Sequence, residues 1–293
     1  PAGWNNVYGF RPSFGLVPGD AEGDNFLHQL STSGPMARSV RDLALLLSVM
    51  AGPDPRQPHS ALHPPFQGIQ MPPTGSTIGW IADWGGHYPM EPGVLALCER
   101  ALGVFSDLGY RVKILTPSIS PDALWESWTV LRSWAIASGD AALFENTATR
   151  AQLKPELAWE IERGLAMSGA DVQAASVIRR AWFAEFSAMQ DVDFLALPSA
   201  QMFAFDATLD WPKSIAGQAL DTYHRWMEVV IPASLIGVPA LSVPTGFVDG
   251  GTPMGLQLIA KRGADALVLG AGQQYHLATG WPDLMVPPNA MRG

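Results

Sequence analysis

Lysine and cysteine side chains, which could activate a nucleophile or act as one, are few in this chain. The lysines are Lys113, Lys154, Lys213 and Lys261, and no serine-rich glycine turn lies near any of them. A lysine activates a serine only from hydrogen-bonding distance, so we expect these ammonium groups to lie on the solvated surface. The single cysteine, Cys98, lies in the segment VLALCERAL, whose pattern predicts an amphipathic helix with Cys98 as a small core residue. The sequence therefore predicts no catalytic residue within its own length.

Metal and cofactor sites are not predicted either. The histidines are His28, His59, His63, His87, His224 and His276. Only His59 and His63 have the spacing of two zinc ligands on a helix, and Pro58, Pro64 and Pro65 argue against a helix there. One cysteine can form neither an internal disulfide nor a cysteine-based zinc site, and no phosphate-binding glycine loop is present. We therefore expect no metal and no cofactor.

The composition argues for a globular protein and against nucleic-acid-binding and membrane-spanning ones. The chain has 293 residues, of which 47% are hydrophobic and 15% charged, enough for a large core in one domain or two closely packed ones. Its net charge is -9, and lysines and arginines do not cluster with aromatic residues, which argues against nucleic-acid binding. No apolar run reaches the roughly 20 residues that span a bilayer, and no signal-peptide pattern is present. These observations predict a cytoplasmic protein without a membrane or nucleic-acid partner.

Local patterns in the first third predict one helix and a strand-helix-strand unit. Ser39 and Asp42 have the spacing of a capping box before LALLLSVMAG, which predicts a helix over 40–51. Two β-prone runs, 77–82 and 110–115, flank a helical pattern over about 92–108. Such a unit favours parallel pairing of its two strands.

The middle of the chain reads as helical and the last third as mixed. From 121 to 190 the pattern predicts an inserted layer of helices, with breaks near Gly139, Pro155 and Gly169. The continuous apolar run over 192–198 is typical of a strand buried on both faces. Further strands are predicted over 238–243 and 254–260, and further helices over 218–235 and 264–278. Together the elements predict an α/β fold with an interior sheet covered by helices.

Three blocks, in order along the chain, resemble the amidase signature family. PAGWNNVYGFRPSFGLVP resembles the stretch that follows the family's nucleophile motif, in which a Gly-Gly-Ser-x-Arg run leads into Pro-Ala and then Gly-x-(Lys/Arg)-Pro-(Thr/Ser)-x-Gly. TSGPMARSVRDLALLLSVMAGPDP resembles the family's Gly-Pro-x-Ala-Arg-x-Val-x-Asp helix. IGVPALSVPTGF and PMGLQLIA resemble its C-terminal Gly-x-Pro-Ala and Gly-x-Gln blocks. The blocks span nearly the whole chain, although the helical middle carries no motif of its own.

The resemblance implies both a fold and a reaction. The expected fold is a mixed, twisted sheet covered by helices, with residues 1–293 as the C-terminal part of a single domain and 121–190 as a helical insertion. The expected reaction is hydrolysis of the C–N bond of a carboxylic amide other than a peptide. In the family a neutral lysine acts through a bridging serine on a nucleophilic serine, and backbone N–H groups hold the oxyanion. All three side chains of this Ser-Ser-Lys triad precede the Pro-Ala pair, so we expect the triad upstream of Pro1 and the isolated chain to be inactive.

Aromatic residues in the second half are candidates for the substrate pocket. Trp125, Trp128, Phe203, Tyr223 and Trp226 could line an acyl pocket for an apolar amide. The alternative is that these side chains belong to helix faces that pack into the core.

Two alternative functions, from other classes of protein, remain open at this point. The chain could be a non-catalytic scaffold or interaction remnant, or the glutamine-hydrolysing subunit of a tRNA-dependent amidotransferase. Nothing in the sequence suggests a site for glutamine, and the tryptophan-rich middle favours an apolar acyl group. The expected partner is a small-molecule amide, and in addition a second copy could form a homodimer and a separate N-terminal polypeptide could complete the fold.

Overall fold

The structure is a computed structural model that describes residues 1–19, 24, 26–60, 66–248 and 250–284. A seven-stranded sheet lies at its centre and helices flank it. The strands are β1 (Tyr8–Arg11), β2 (Met36–Ala37), β3 (Thr77–Trp80), β4 (Arg111–Ile114), β5 (Phe194–Pro198), β6 (Ser214–Ile215), β7 (Gln218–Ala219), β8 (Ala240–Phe247) and β9 (Pro253–Ala260). The helices are α1 (Val40–Met50), α2 (Val94–Asp107), α3 (Pro121–Glu145), α4 (Thr147–Arg150), α5 (Pro155–Leu165), α6 (Gly169–Ala188), α7 (Ile231–Ile236), α8 (Asp265–Thr279) and α9 (Trp281–Leu284). In addition, 3₁₀-helices cover Gly3–Asn5 and Arg225–Val230.

The sheet is mixed, as predicted. Its strand order is β2-β1-β8-β9-β5-β3-β4, and β6 and β7 form a separate pair. β3 runs parallel to β4 and to β5, which confirms the parallel pairing of the two strands that flank α2. β9 runs antiparallel to both of its neighbours, β5 and β8. Every residue of β5 is buried and β9 is buried along nearly its whole length, as expected for strands covered on both faces.

Capping and ionic contacts fix the first segment to the sheet and its helices. Ser39 accepts a hydrogen bond from the Asp42 N–H at 3.1 Å, and α1 begins at the next residue, which confirms the predicted cap. Farther upstream, the N–H and hydroxyl of Ser13 both donate to the Asp265 carboxylate, at 2.7 and 2.5 Å. Asp265 lies in the first turn of α8, where the helix dipole stabilises a negative charge. The segment around Ser13 is therefore fixed to the start of α8.

Residues 121–190 are helical, and two of the three predicted breaks are correct. α5 begins at Pro155 and α6 begins at Gly169. The break predicted near Gly139 is wrong, because α3 continues through it to Glu145. A glycine within a helix costs only about 1 kcal/mol relative to alanine, and burial of other α3 side chains offsets that cost. α5 lies so close to α3 that a Cβ on Gly164 would be 2.1 Å from the Ser133 carbonyl oxygen.

The helix predicted over 218–235 is wrong for most of its length. Its first two residues form β7, which follows a turn in which Gly217 has a φ of 82°. The segment Arg225–Val230 is a 3₁₀-helix, and only α7 is α-helical. Pro232 lies in the first turn of α7, where its missing N–H is tolerated but where it marks a new start rather than a continuation.

Each face of the sheet contributes to a large apolar cluster. One cluster includes Tyr8, Leu43, Phe105 and Tyr275, and the other includes Trp182, Leu195 and Ile259. Among the residues described, no helix combines the length and the apolar character needed to cross a bilayer.

Candidate functional site

The first residues of the chain lie directly on β9. A Cβ added to Gly3 would be 2.3 Å from the Ser199 Oγ and 2.9 Å from the Gly255 nitrogen. A Cβ added to Gly255 would be 2.5 Å from the Ser199 Oγ and 2.8 Å from the Ser242 Oγ. Only glycine at both positions lets the two backbones approach this closely. We call these four residues, Gly3, Ser199, Ser242 and Gly255, the serine niche.

Both hydroxyls of the serine niche are buried without a partner. Within the described ranges, neither the Ser199 Oγ nor the Ser242 Oγ forms a hydrogen bond. Ser199 follows the last residue of β5, and its N–H donates to the Gly255 carbonyl at 2.8 Å. Leaving a buried polar group unpaired costs about 1–3 kcal/mol, so these hydroxyls are available to a further polar group. Because no described lysine, histidine or carboxylate lies at hydrogen-bonding distance, neither serine has the general base that a nucleophile requires.

The cysteine beside the serine niche is also unsuited to nucleophilic attack. Cys98 is buried in α2, which confirms the prediction of a core residue, and its Sγ lies 3.7 Å from the Gly255 carbonyl oxygen. Burial raises the pKa of the thiol far above its ordinary value. A protonated thiol is a poor nucleophile, so Cys98 has a packing role.

An aromatic cluster adjoins the serine niche through Trp4. The rings of Trp4 and Trp226 are stacked, with centroids 5.2 Å apart and an interplanar angle of 14°. Phe205 packs edge-on against both rings at 5.5 Å. The Trp4 Nε1 donates to the Met202 carbonyl at 2.9 Å, whereas the Trp226 Nε1 is buried and has no partner among the residues described. The aromatic cluster, Trp4, Phe205 and Trp226, therefore combines an apolar wall with one unused donor.

Two glutamines hold the Trp226 segment against the end of β5. The Gln257 side-chain amide donates to the carbonyls of Pro198 and Val229, at 2.9 Å each. The Gln201 side chain accepts from the Val229 N–H at 3.2 Å and donates to the Pro89 carbonyl at 3.3 Å. Both glutamines are almost fully buried, so these bonds fix the position of the 3₁₀-helix that carries Trp226.

The five predicted pocket residues fall into two groups. Phe203 packs in a small apolar cluster that Trp4 adjoins, and Trp226 stacks on Trp4, so these two lie near the serine niche. Trp125 and Trp128 stack on each other at 6.1 Å in the core cluster under α3. Tyr223 contacts the second group through His224, whose ring packs edge-on against Trp128 at 5.3 Å. The segment 223–226 thus joins the two groups.

Sequence reasoning missed Ser199, Gln201 and Ser242. The available signal was the Ser-Ala-Gln run that follows the buried strand β5, because polar residues at the carboxyl end of a parallel strand commonly face a ligand. The contact of Trp4 with Trp226 had no signal in the sequence, since the two residues lie at opposite ends of the chain.

Side-chain contacts to two buried glutamates hold both ends of the Trp226 segment. His224 and Arg132 contact the Glu160 carboxylate, at 3.2 and 2.7 Å. Burial alone would raise the pKa of Glu160, but these two partners outweigh it and the pKa is lowered. Glu228 is 2% exposed and lies 3.0 Å from Arg225 and 3.2 Å from His87. Here burial outweighs both partners and raises the pKa of Glu228.

The described residues contain no group of three His, Cys, Asp or Glu side chains that could hold a metal ion. Of the histidine pair considered above, His63 lies outside the described residues. The His59 ring nitrogen Nε2 lies 3.2 Å from the Phe26 carbonyl and 3.3 Å from the Gln29 side chain.

Comparison with known proteins relates the chain to one protein family. The family model described as Amidase matches residues 1–269. The chain is 28% identical to an acylamidase of Rhodococcus erythropolis and 34% identical to a glutamyl-tRNA(Gln) amidotransferase subunit of Thermus thermophilus, over 97% and 98% of its length. These matches cover 59% and 63% of the two relatives, so the chain spans about three-fifths of their length.

Solved structures agree with the sequence comparison. A bacterial aryl acylamidase of the amidase signature enzymes superposes with a TM-score of 0.84 at 27% identity, over 97% of this chain and 60% of that one. The 6-aminohexanoate cyclic dimer hydrolase has the same fold, with a TM-score of 0.80 at 22% identity over 97% of this chain and 62% of that one. Because the family model matches almost the entire chain and the sheet is shared with these enzymes, the chain belongs to the amidase signature family.

Proposed function

We propose that this chain forms the larger part of an amidase that hydrolyses the C–N bond of a small carboxylic amide, with the Ser-Ser-Lys triad supplied by residues that precede Pro1. Membership of the family supports the reaction. The observation that carries the location is the serine niche, where Gly3 brings the start of the chain onto β9 beside two unpaired hydroxyls. Neither hydroxyl has a base of its own among the described residues, which favours a role in positioning over a role as nucleophile.

In this proposal the chain supplies the floor and one wall of the active site. The hydroxyls of Ser199 and Ser242 hydrogen-bond to polar groups of the segment that carries the triad. The aromatic cluster forms the wall on which the acyl group packs, together with Phe203, and the free Trp226 N–H donates to the substrate or to that segment. Trp125, Trp128 and Tyr223 support this wall through the segment 223–226.

Labelling with a fluorophosphonate, which reacts covalently with activated serines, tests where the nucleophile lies. The intact mass of the purified protein is first compared with the 31.5 kDa of these residues, and the labelled peptide is then identified by mass spectrometry. We expect a protein of greater mass that releases ammonia or an amine from aryl and alkyl amides, with the label upstream of Pro1. A label on Ser199 or Ser242 would contradict an upstream nucleophile. An unlabelled protein without amide hydrolysis, at the full length of its relatives, would contradict the amidase proposal itself.

The glutaminase subunit of a tRNA-dependent amidotransferase is the second candidate, and the 34% identity to the Thermus protein favours it. The aromatic cluster argues against it, because three packed rings offer no ionic partner to the charged groups of glutamine. Copurification separates the two. An amidotransferase subunit should bring a second polypeptide in equal amount and hydrolyse glutamine, whereas an amidase should elute as a monomer or homodimer and prefer apolar amides.

A further inference from the structure

A cavity of about 240 Å³ lies beside α6. Arg179 and Arg180 of α6 line it together with Arg262, which follows β9. The rest of the lining consists of the apolar side chains Phe183 on α6 and Leu235 and Ile236 on α7, and of the polar residues Gln29 and Ser176. We call it the arginine cavity.

The three guanidinium groups form no ion pair within the described part of the chain. Within the described ranges, none of Arg179, Arg180 and Arg262 forms an ion pair at 4.0 Å or less, although the chain as a whole carries a net charge of -9. Arg179 donates to the Ser176 hydroxyl and Arg262 to the Phe14 carbonyl, at 3.2 Å each. Each of these bonds uses a single N–H of a five-donor group, so most donors remain free.

Partial burial makes the unpaired charge of Arg179 unfavourable. Loss of solvent lowers the pKa of Arg179, and no acidic residue in the described part of the chain offsets that effect. Burial likewise lowers the pKa of Arg262, partly offset by Asp265, whose carboxylate is already bound to Ser13. Arg179, Arg180 and Arg262 line the same cavity, so their positive charges act together on an anion that enters it.

We propose that the arginine cavity binds a monocarboxylate with an apolar tail, the carboxylate on Arg179, Arg180 and Arg262 and the tail against Phe183, Leu235 and Ile236. Arginine suits this headgroup because its planar donors match a carboxylate in two parallel hydrogen bonds. The tail has room to extend, since a neighbouring cavity of about 500 Å³ shares Phe183 and Arg262 with this one. The site does not depend on amide hydrolysis, and it stands or falls separately from the proposed function.

Calorimetric titration of the full-length protein with octanoate tests this site, with 1-octanol as a ligand of equal tail length and no charge. We expect octanoate to bind at low salt, to bind more weakly as sodium chloride is raised, and to bind more tightly than 1-octanol. The double variant Arg180→Gln/Arg262→Gln should weaken octanoate binding at least about tenfold, as expected for the loss of charged hydrogen-bond donors. Arg100→Gln on the exposed face of α2 removes the same charge elsewhere and should leave the affinity unchanged within about twofold.

Three results would overturn the proposal. The first is no detectable octanoate binding at low millimolar concentration, and the second is equal binding of octanoate and 1-octanol by the unaltered protein. The third is octanoate binding that the double variant leaves unchanged, which would assign the ligand to another site such as the amide pocket. The first two use no variant, so they decide the matter even if the double variant folds poorly.

Discussion

Replacing Gly255 with alanine tests whether the start of the chain really lies against β9. The added Cβ would be 2.5 Å from the Ser199 Oγ, 2.8 Å from the Ser242 Oγ and 2.9 Å from the Gly3 Cα. All three distances are shorter than real Cβ contacts, so the serines or the first 3₁₀-helix must move. Overpacking of this kind costs about 1–3 kcal/mol, and we expect Gly255→Ala to lower the free energy of unfolding by about 2 kcal/mol.

A double-mutant cycle shows whether the serine niche is the cause. Ser199→Ala removes the nearest of the three atoms, and because a buried hydroxyl without a partner is itself unfavourable, we expect its loss alone to leave the free energy of unfolding unchanged or to raise it. The combined variant should then be about 1 kcal/mol more stable than the sum of the single effects predicts.

Urea unfolding followed by tryptophan fluorescence measures all members of the cycle. Gly103→Ala is the matched control, because Gly103 lies in α2 with no atom within 4 Å of an added Cβ. Alanine there should stabilise the protein by about 0.5–1 kcal/mol through helix propensity. If Gly255→Ala behaves like Gly103→Ala, or if the cycle is strictly additive, then the close contact between Gly3, Ser199 and Gly255 is not present in solution.

Cys98, Glu160 and Trp226 each allow a further test. Cys98 should resist iodoacetamide in the folded protein and react fully in urea, because it is buried and burial raises the pKa of its thiol. Mass spectrometry of the alkylated protein measures this reaction, and rapid labelling of the folded protein would contradict the core position of Cys98. The folded pKa of Glu160 lies below its ordinary value of 4.5, so its ionisation stabilises the fold above that pH and the effect is lost as the pH falls through the folded pKa. Glu160→Gln should therefore be less stable than wild type at neutral pH, with a difference that shrinks in acid; urea unfolding from pH 3 to 7 measures it, and a constant difference would refute the ionic role. Trp226→Leu should raise KM for aryl amides by roughly tenfold in the full-length enzyme while changing kcat for small aliphatic amides little; steady-state kinetics that show equal loss for both substrates would remove Trp226 from the acyl wall.

Local signals in the sequence predicted most helices and strands, but they did not predict where a helical pattern is interrupted. The apolar run over 192–198 and the Ser39 cap each specify one structure by themselves, since burial on both faces and a free helix N–H have few other solutions. The segment 218–235 contains enough helix formers to suggest one helix, but the turn at Gly217 places its first two residues in β7, and the restart at Pro232 divides the remainder. Helix propensity could not predict this division, because the 3₁₀-helix is held by buried hydrogen bonds between the Val229 backbone and the side chains of Gln201 and Gln257, which lie outside the segment.

The candidate site was less predictable than the fold, because its parts meet only through the order of the strands. Cross-strand register places Ser242 opposite Gln257 and Pro198 opposite Leu256, so both serines lie near Gly255 on the strand between them. Periodicity in a single sequence cannot reveal such a meeting, since nothing in β5 or β8 specifies that β9 separates them. The aromatic residues show the same limit: of the five predicted for the pocket, only Phe203 and Trp226 lie near the serine niche, and it is Trp4 that links them to it.

The position of the serine niche has a consequence for how an amide would be cleaved. β9 is an interior strand, paired on both sides along most of its length, and Gly3 rests on its backbone without an intervening side chain. Groups held by interior strands are positioned more accurately than groups on loops, and catalysis of acyl transfer depends on placing the nucleophile and the oxyanion donors within a fraction of an ångström. A nucleophile only a few residues before Gly3 would be fixed by the sheet itself. The proposed acyl wall, by contrast, lies on a 3₁₀-helix that is held by glutamine side chains and by the contact of Glu228 with His87, so its substrate preference could change without disturbing the reacting groups.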